Sequence, residues 1–217
     1  MQRFLDRRDG GRQLAGKLSK YANQPDVIVL ALPRGGVPVA YEVARALNVP
    51  LDVLVVRKLG MPGREELAIG AIASGGIRIL NEDIVQVLSV DRSVIDRVTE
   101  QEMEELRRRE RHYRGERSAL DINKRTAILV DDGLATGASM LAAVHALRNR
   151  HPAKIIVSVP AAAPQAVDLL RPQVDELVYV MAPDPFEGVG KWFEDFSQTT
   201  DEEVQMLLAE ADRNIRG

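Results

Sequence analysis

Cysteine is absent from all 217 residues, which excludes both a disulfide framework and a thiolate nucleophile. Histidine is scarce, and His112, His145 and His151 are too scattered to read as a metal cluster. No apolar run approaches the ~20 residues of a membrane-spanning helix. The opening residues, Met1-Gln-Arg-Phe-Leu-Asp-Arg-Arg, lack the apolar centre of a signal peptide, so the expected location is the cytoplasm. Neither sign of charge dominates: 29 Lys and Arg stand against 32 Asp and Glu. The resulting formal charge of −3 gives no global attraction to nucleic acid. There is no G-x-G-x-x-G and no glycine-rich loop ending in Lys, so the common dinucleotide and triphosphate signatures are missing. Internal repeats, low-complexity stretches and linkers are missing too.

What is present is the material of a buried sheet. The hydrophobic content of 45% is enough for a sizeable core, and the length suits one α/β domain with an appendage. Val27–Leu32, Leu51–Val56, Ala127–Val130, Ile155–Val159 and Glu176–Met181 are short apolar runs without alternation, the pattern of strands covered on both faces. Helical patterns at Pro38–Leu47, Ala138–Asn149 and Pro164–Leu170 separate them. Strands alternating with helices predict a doubly wound, mostly parallel sheet with right-handed crossovers. Ala68–Leu80, with Gly70, Gly75 and Gly76, reads as a β-hairpin. Asp91 to about Tyr113 reads as one long polar helix with Glu104–Arg108, Glu105–Arg109 and Glu110–Arg114 pairs at i,i+4. The arginines at its end, Arg107 to Arg117, read better as a self-paired solvated face than as an anion site. Thr200-Asp-Glu-Glu203 is a capping box that opens the last helix.

One segment carries chemistry. Ala127-Ile-Leu-Val runs into two adjacent carboxylates, Asp131 and Asp132, then a small-residue turn from Gly133 through Leu134, Ala135, Thr136, Gly137 and Ala138 to Ser139, then a helix. Backbone N–H groups of such a turn and of the helix N-terminus attract a phosphate. Thr136 and Ser139 add hydroxyl donors. Ionised carboxylates only accept hydrogen bonds, so the acid pair suits a vicinal diol that donates. A buried strand whose last Asp caps the next helix would explain one acid but not the loop.

This run closely resembles the phosphoribosyl-pyrophosphate (PRPP) motif of type I phosphoribosyltransferases. The resemblance implies that Asp131 and Asp132 hold the ribose hydroxyls and that Gly133–Ser139 hold the 5′-phosphate. Leu32-Pro33-Arg34-Gly35-Gly36, at another strand end, resembles the family's pyrophosphate turn, with Arg34, Gly35 and Gly36 as its binding residues. In the family this turn carries a non-proline cis peptide, here expected between Pro33 and Arg34. Taken alone, the same residues read equally well as a plain turn. Arg57 and Lys58, followed by the Gly60–Glu66 loop, resemble the adenine branch, where a loop closes over the reacting atoms. On that match Arg57 and Lys58 bind pyrophosphate and Lys58 acts in catalysis together with the acid pair; Glu65 and Glu66 are weaker candidates for proton transfer. Ordinary strand-end cations are the alternative. Phe186, Trp192, Phe193 and Phe196 crowd into eleven residues. Phe186 and Trp192 fit either base stacking or a small satellite core.

Ala135 stands where 6-oxopurine enzymes usually carry an acid, which argues against hypoxanthine or guanine as acceptor. The Pro-Arg-Gly-Gly turn and the whole architecture also resemble small bacterial phosphoribosyltransferase-domain proteins without an assigned substrate. The resemblance implies a single domain over 1–217, with a core at about 24–182 and a small hood from about 1–23 and 183–217. It implies an enzyme that takes Mg²⁺-bound PRPP and a nucleobase-like acceptor, with no direct protein ligand to the metal, and it leaves a homodimer open. A module that senses PRPP or a nucleotide without turnover is the alternative.

Overall fold

The computed structural model describes residues 3–115 and 117–216, with the side chains of Glu65, Glu66 and Arg216 outside the described set. The chain runs α1 (Arg7–Lys17), β1 (Val27–Ala31), α2 (Gly36–Leu47), β2 (Leu51–Val53), β3 (Val56–Met61), β4 (Arg64–Ala73) and β5 (Ile77–Leu80). It continues through α3 (Glu82–Val87), α4 (Arg92–Arg114), β6 (Thr126–Val130), β7 (Gly133–Leu134), α5 (Ala138–Arg148), β8 (Lys154–Ala162), α6 (Pro164–Leu170), β9 (Glu176–Met181) and α7 (Asp201–Arg216).

The main sheet is parallel, in the order β2-β1-β6-β8, with β7 and β9 also pairing with β8. Its central strands are buried from end to end, and alternate residues serve two cores. Val27, Val29, Ala31, Ile128, Val130 and Ile156 join α1, α2 and α7 on one face. Ile28, Leu30, Ala127, Leu129, Ile155 and Val157 join α5 and α6 on the other. This is why the sequence shows continuous apolar runs: both faces of the sheet are covered. Each buried Val, Leu or Ile contributes about 1.5–3 kcal/mol relative to exposure.

Two expectations are corrected. The apolar run Leu51–Val56 is not one strand. Its chain passes from one sheet to another at Leu54 and Val55. Leu54 donates its N–H to the Ala31 carbonyl of the main sheet (2.9 Å), while Val55 donates to the Ser74 hydroxyl (2.9 Å) beside a second sheet. That second sheet is antiparallel, β3-β4-β5. The Gly60–Glu66 segment is likewise not a free loop. It forms the tip of the β3–β4 hairpin, with Gly63 at φ +77° and register shifts on both sides of Gly60. The expected Ala68–Leu80 hairpin is β4–β5, turned by Gly75 and Gly76 at φ +89° and +76°, a conformation that glycine adopts without steric cost.

The long helix α4 is held at its middle and at its C-terminal end. Arg57 of β3 pairs with Glu102. Arg114 donates to Asp52 (2.7 Å), with both side chains 9% exposed. Glu105 pairs with both Arg108 and Arg109, which hold its pKa down to about 2. Arg108 thus turns to Glu105, where Glu104 was expected. The terminal segments run side by side: Phe4 donates to the Trp192 carbonyl (2.9 Å), and Glu194 donates to the Phe4 carbonyl (2.8 Å). Thr200 caps α7 through the Glu203 N–H (3.1 Å). Among the described residues, no helix is long and apolar enough to cross a membrane.

Candidate active site

The acid pair sits in a gap in a parallel ladder. β6 and β7 lie along one edge of β8 in a single register, with Val130 opposite Ser158 and Gly133 opposite Ala161. Asp131 and Asp132 fill the interval, facing the stretch of β8 that contains Pro160. Proline has no N–H to give, so the ladder cannot close there. The pair therefore marks the carboxyl end of β6, where ligands bind in sheets of this kind.

Burial works against the pair's charge, and Arg7 works for it. Burial raises the pKa of Asp131 well above the ordinary range, and the neighbouring Asp132 carboxylate raises it further. Burial also raises Asp132, opposed by Arg7. The Nε of Arg7 donates to Asp132 Oδ2 at 2.9 Å. The Asp131 carboxylate accepts from the Asp132 N–H at 2.8 Å. Among the described residues, no group of three acidic or imidazole side chains converges as a metal cage.

Two glycine turns meet at these acids. The Pro33–Arg34 peptide is cis, as expected from the resemblance. A Cβ added to Gly35 would lie 2.1 Å from Asp132 Oδ2, and one added to Gly36 would lie 2.7 Å from the Val130 carbonyl. Only glycine permits that approach. Arg34 reaches Asp201 at 3.8 Å, and Tyr113 donates to the same carboxylate at 3.0 Å. Burial first, then Asp201, pushes the Tyr113 pKa up to about 12.

On the other side, Gly133 lies under Val189, whose Cγ1 would meet an added Cβ at 2.6 Å. Gly137 takes φ +76° at the N-cap of α5, and the Ala138 N–H points to the Thr136 hydroxyl at 3.4 Å. Leu134 is buried, while Ala135, Thr136, Ala138 and Ser139 are exposed at or near a helix N-terminus. That arrangement of N–H groups suits an anion. Phe186 and Trp192 stand with ring centroids 6.2 Å apart. They pack around Phe4, Ala161 and Phe193 beside the Gly133 end of the turn, so the satellite core exists. The Trp192 indole N–H is buried without a hydrogen-bond partner among the described residues.

The two strand-end cations diverge. Arg57 is engaged by Glu102 on α4. Lys58, on the opposite face of β3, is exposed and lines a cleft of about 380 Å³ with Ala138 and His145 of α5. The side chains of Glu65 and Glu66 lie outside the described residues.

Arg7 was not among the residues the sequence singled out, because it is 125 positions from its partner. A local signal existed. Asp6 caps α1 by accepting the Asp9 N–H at 2.7 Å, so Asp-x-x-Asp followed by Gly10, Gly11, Leu14 and Leu18 reads in retrospect as a closely packed helix.

Residues 4–179 match the family model described as phosphoribosyl transferase domain. Two Mycobacterium tuberculosis proteins, from strains CDC 1551 / Oshkosh and H37Rv, are each 44% identical over 215 residues, and their names class them provisionally as phosphoribosyl transferases. The match covers 99% of this chain but 48% of theirs, so the chain spans about half the length of these relatives. The crystal structure of TT1426 from Thermus thermophilus is 41% identical with a TM-score of 0.86, covering 96% of this chain and 99% of that one. A family model matched over residues 4–179, and relatives 44% and 41% identical along nearly the whole chain, lead to one conclusion: this chain belongs to the phosphoribosyl transferase domain family.

Proposed function

We propose that this chain binds Mg²⁺-PRPP and transfers its phosphoribosyl group to a ring nitrogen of a nucleobase-like acceptor, releasing pyrophosphate. The observation that carries the reading is the convergence on Asp132. Gly35 of one turn approaches it to contact distance, and the second turn begins at the next residue, Gly133. A diol, a phosphate and a pyrophosphate separated by one ribose need such an arrangement.

In this reading Asp131 and Asp132 accept hydrogen bonds from the ribose hydroxyls. Gly133–Ser139 and the N-terminus of α5 hold the 5′-phosphate. Arg34, Gly35 and Gly36 hold the pyrophosphate, joined by Lys58 across the cleft. Phe186 and Trp192 border the acceptor. Mg²⁺ would arrive with PRPP rather than on a protein cage, and would supply positive charge to the leaving pyrophosphate. As the bond from C1′ to the pyrophosphate oxygen breaks, its electron pair leaves with pyrophosphate and the acceptor nitrogen bonds to C1′. The acceptor's proton is then lost. Negative charge grows on the leaving group, so fixed cations and N–H groups aimed there lower the barrier. The work is mostly positioning.

One observation favours a second reading, a sensor that binds PRPP or a nucleotide without turnover. Arg57 is committed to Glu102, which leaves Lys58, among the described residues, as the uncommitted member of the strand-end pair. Pyrophosphate release, measured with Mg²⁺-PRPP and a panel of purines, pyrimidines and analogues, separates the two. The enzyme reading expects release with at least one base, and a far larger loss of release than of PRPP affinity in Lys58→Ala. Binding with no release across the panel would put the sensor in its place.

A further inference from the structure

Arg7 makes more contacts than a helix-start arginine needs. Its Nε donates to Asp132 Oδ2 at 2.9 Å, and its Nη1 donates to the Ser197 carbonyl at 2.7 Å. Its guanidinium carbon lies 3.8 Å from the centroid of the Phe196 ring. The side chain is only 12% exposed. A Cβ on Gly35 would come within 3.3 Å of its Nε, so the guanidinium sits between the acid pair and the Pro33–Gly36 turn. Arginine is the side chain for this place, being planar, always charged and able to stack and donate at once. Nothing in the transfer step derived above uses it.

We propose that Arg7 is a positioning residue of this site: a built-in counter-ion that keeps Asp132 ionised and aimed at the ribose position until the ligand's hydroxyls take over its hydrogen bond. The position is fixed by construction. Gly10 and Gly11 let α1 lie directly against Pro160 and Val39, since an added Cβ would meet Pro160 Cγ at 2.9 Å and the Val39 carbonyl at 2.6 Å. The helix start therefore cannot drift from the acids. The hold on Asp132 is electrostatic as well as geometric, because Arg7 opposes the effect of burial on both carboxyls. The same guanidinium also ties the 195–201 segment, whose Asp201 meets Arg34, to the acid pair.

The charged groups around the pair come from several elements. Arg7 on α1 acts on both carboxyls, Arg34 on the turn before α2 turns to Asp201, and Asp195 in the segment before α7 lies with Arg7 along one cleft. Asp6, Arg8 and Glu203 line a cleft of about 140 Å³ behind Arg7. Of these, Arg7 is the one in hydrogen-bond contact with Asp132.

The ligand half of this inference rests on the phosphoribosyl reading, whereas the charge half does not, and the test keeps them apart. Carboxyl ¹³C resonances of Asp131 and Asp132, assigned with the help of Asp132→Asn, are titrated in ligand-free wild type and Arg7→Met. Mg²⁺-PRPP affinity is measured on the same proteins at pH 6 and pH 8.5. Removing the cation raises the pair's midpoint, so the acid-side loss of affinity moves to higher pH. Each unit of that rise weakens binding below the midpoint about tenfold. The expected result is a higher midpoint, with affinity in Arg7→Met reduced much more at pH 6 than at pH 8.5. Equal midpoints in the two proteins would overturn the inference whether or not PRPP binds. A raised midpoint in a protein whose wild type takes no PRPP would leave the counter-ion standing and remove the phosphoribosyl reading. If Arg7→Met does not fold, Arg7→Gln carries the same comparison, since it loses the charge while keeping a donor and most of the stem.

Discussion

Asp131 occupies a place that disfavours its own charge, with burial the larger cause and the Asp132 carboxylate the second. A carboxyl whose folded pKa exceeds its unfolded value, about 3.9, costs stability as pH rises past that value, and costs most above the folded pKa. Asp131→Asn should therefore raise the melting temperature of the ligand-free protein at pH 7.5, by about 2–4 °C per kcal/mol relieved. The gain should vanish below about pH 4, where the wild-type carboxyl is protonated as well. Scanning calorimetry at pH 3.5 and 7.5 checks this, and PRPP binding should be lost in the same variant. Gly137→Val tests the proposed role of the Gly133–Ser139 turn in phosphate binding. Gly137 holds φ +76°, and the nearest atom to an added Cβ is Leu170 Cδ1 at 3.4 Å. A Cβ fits in ordinary contact, but a β-branched residue does not readily adopt this backbone conformation, so the cost should be at least about 1–2 kcal/mol. Ribose 5-phosphate should no longer bind, as read by calorimetric titration. These residues were legible in the sequence because strand, acids, turn and helix follow one another without a gap. Arg7 was not, because its role depends on a contact across most of the chain.

Helix α1 sets the distance between the N-terminus and the acid pair, and it does so through two glycines. A Cβ at Gly11 would meet the Val39 carbonyl at 2.6 Å and Glu42 Cβ at 2.9 Å. Backbone cannot swing aside as a side-chain tip can, so Gly11→Val should separate α1 from α2. Overpacking of this kind costs about 1–3 kcal/mol, and Mg²⁺-PRPP affinity should fall with it as Arg7 is carried off Asp132. Gly16 lies on the same helix with nothing within 4 Å of an added Cβ. Gly16→Ala should instead stabilise by about 0.5–1 kcal/mol and leave affinity unchanged. Urea unfolding and titration of the pair of variants distinguish packing from helix propensity. At this scale the sequence was informative about type and less so about boundaries. Val27–Ala31 and Thr126–Val130 are strands because burial on both faces demands apolar runs, while Glu176–Met181, paired among the described residues only with β8, is half-buried along its length. The passage from β2 to β3 left no mark, because Leu54 and Val55 are buried while the chain changes sheets. Apolar periodicity records burial and is silent about which sheet provides it.

For the whole molecule, the doubly wound sheet was readable from the alternation of strands and helices, whereas the antiparallel sheet β3-β4-β5 was not. Only its β4–β5 part announced itself, through Gly75 and Gly76. The sheet packs against α4 and α5 and brings Lys58 over the start of α5. The relatives from Mycobacterium tuberculosis extend to about twice this length, so the same fold also occurs within a longer chain. What the whole arrangement has to do, if the ligand is PRPP, is hold one molecule at three places: diol, phosphate and pyrophosphate. Calorimetric titration of Mg²⁺-PRPP into the wild-type chain and into Asp132→Asn tests that most directly. Saturable binding in the wild type is expected, weakened at least tenfold in the variant, a loss of about 1.4 kcal/mol, with the variant still cooperatively folded. Absence of heat and of any thermal shift at millimolar PRPP, or equal affinity in the two proteins, would contradict the assignment of this site.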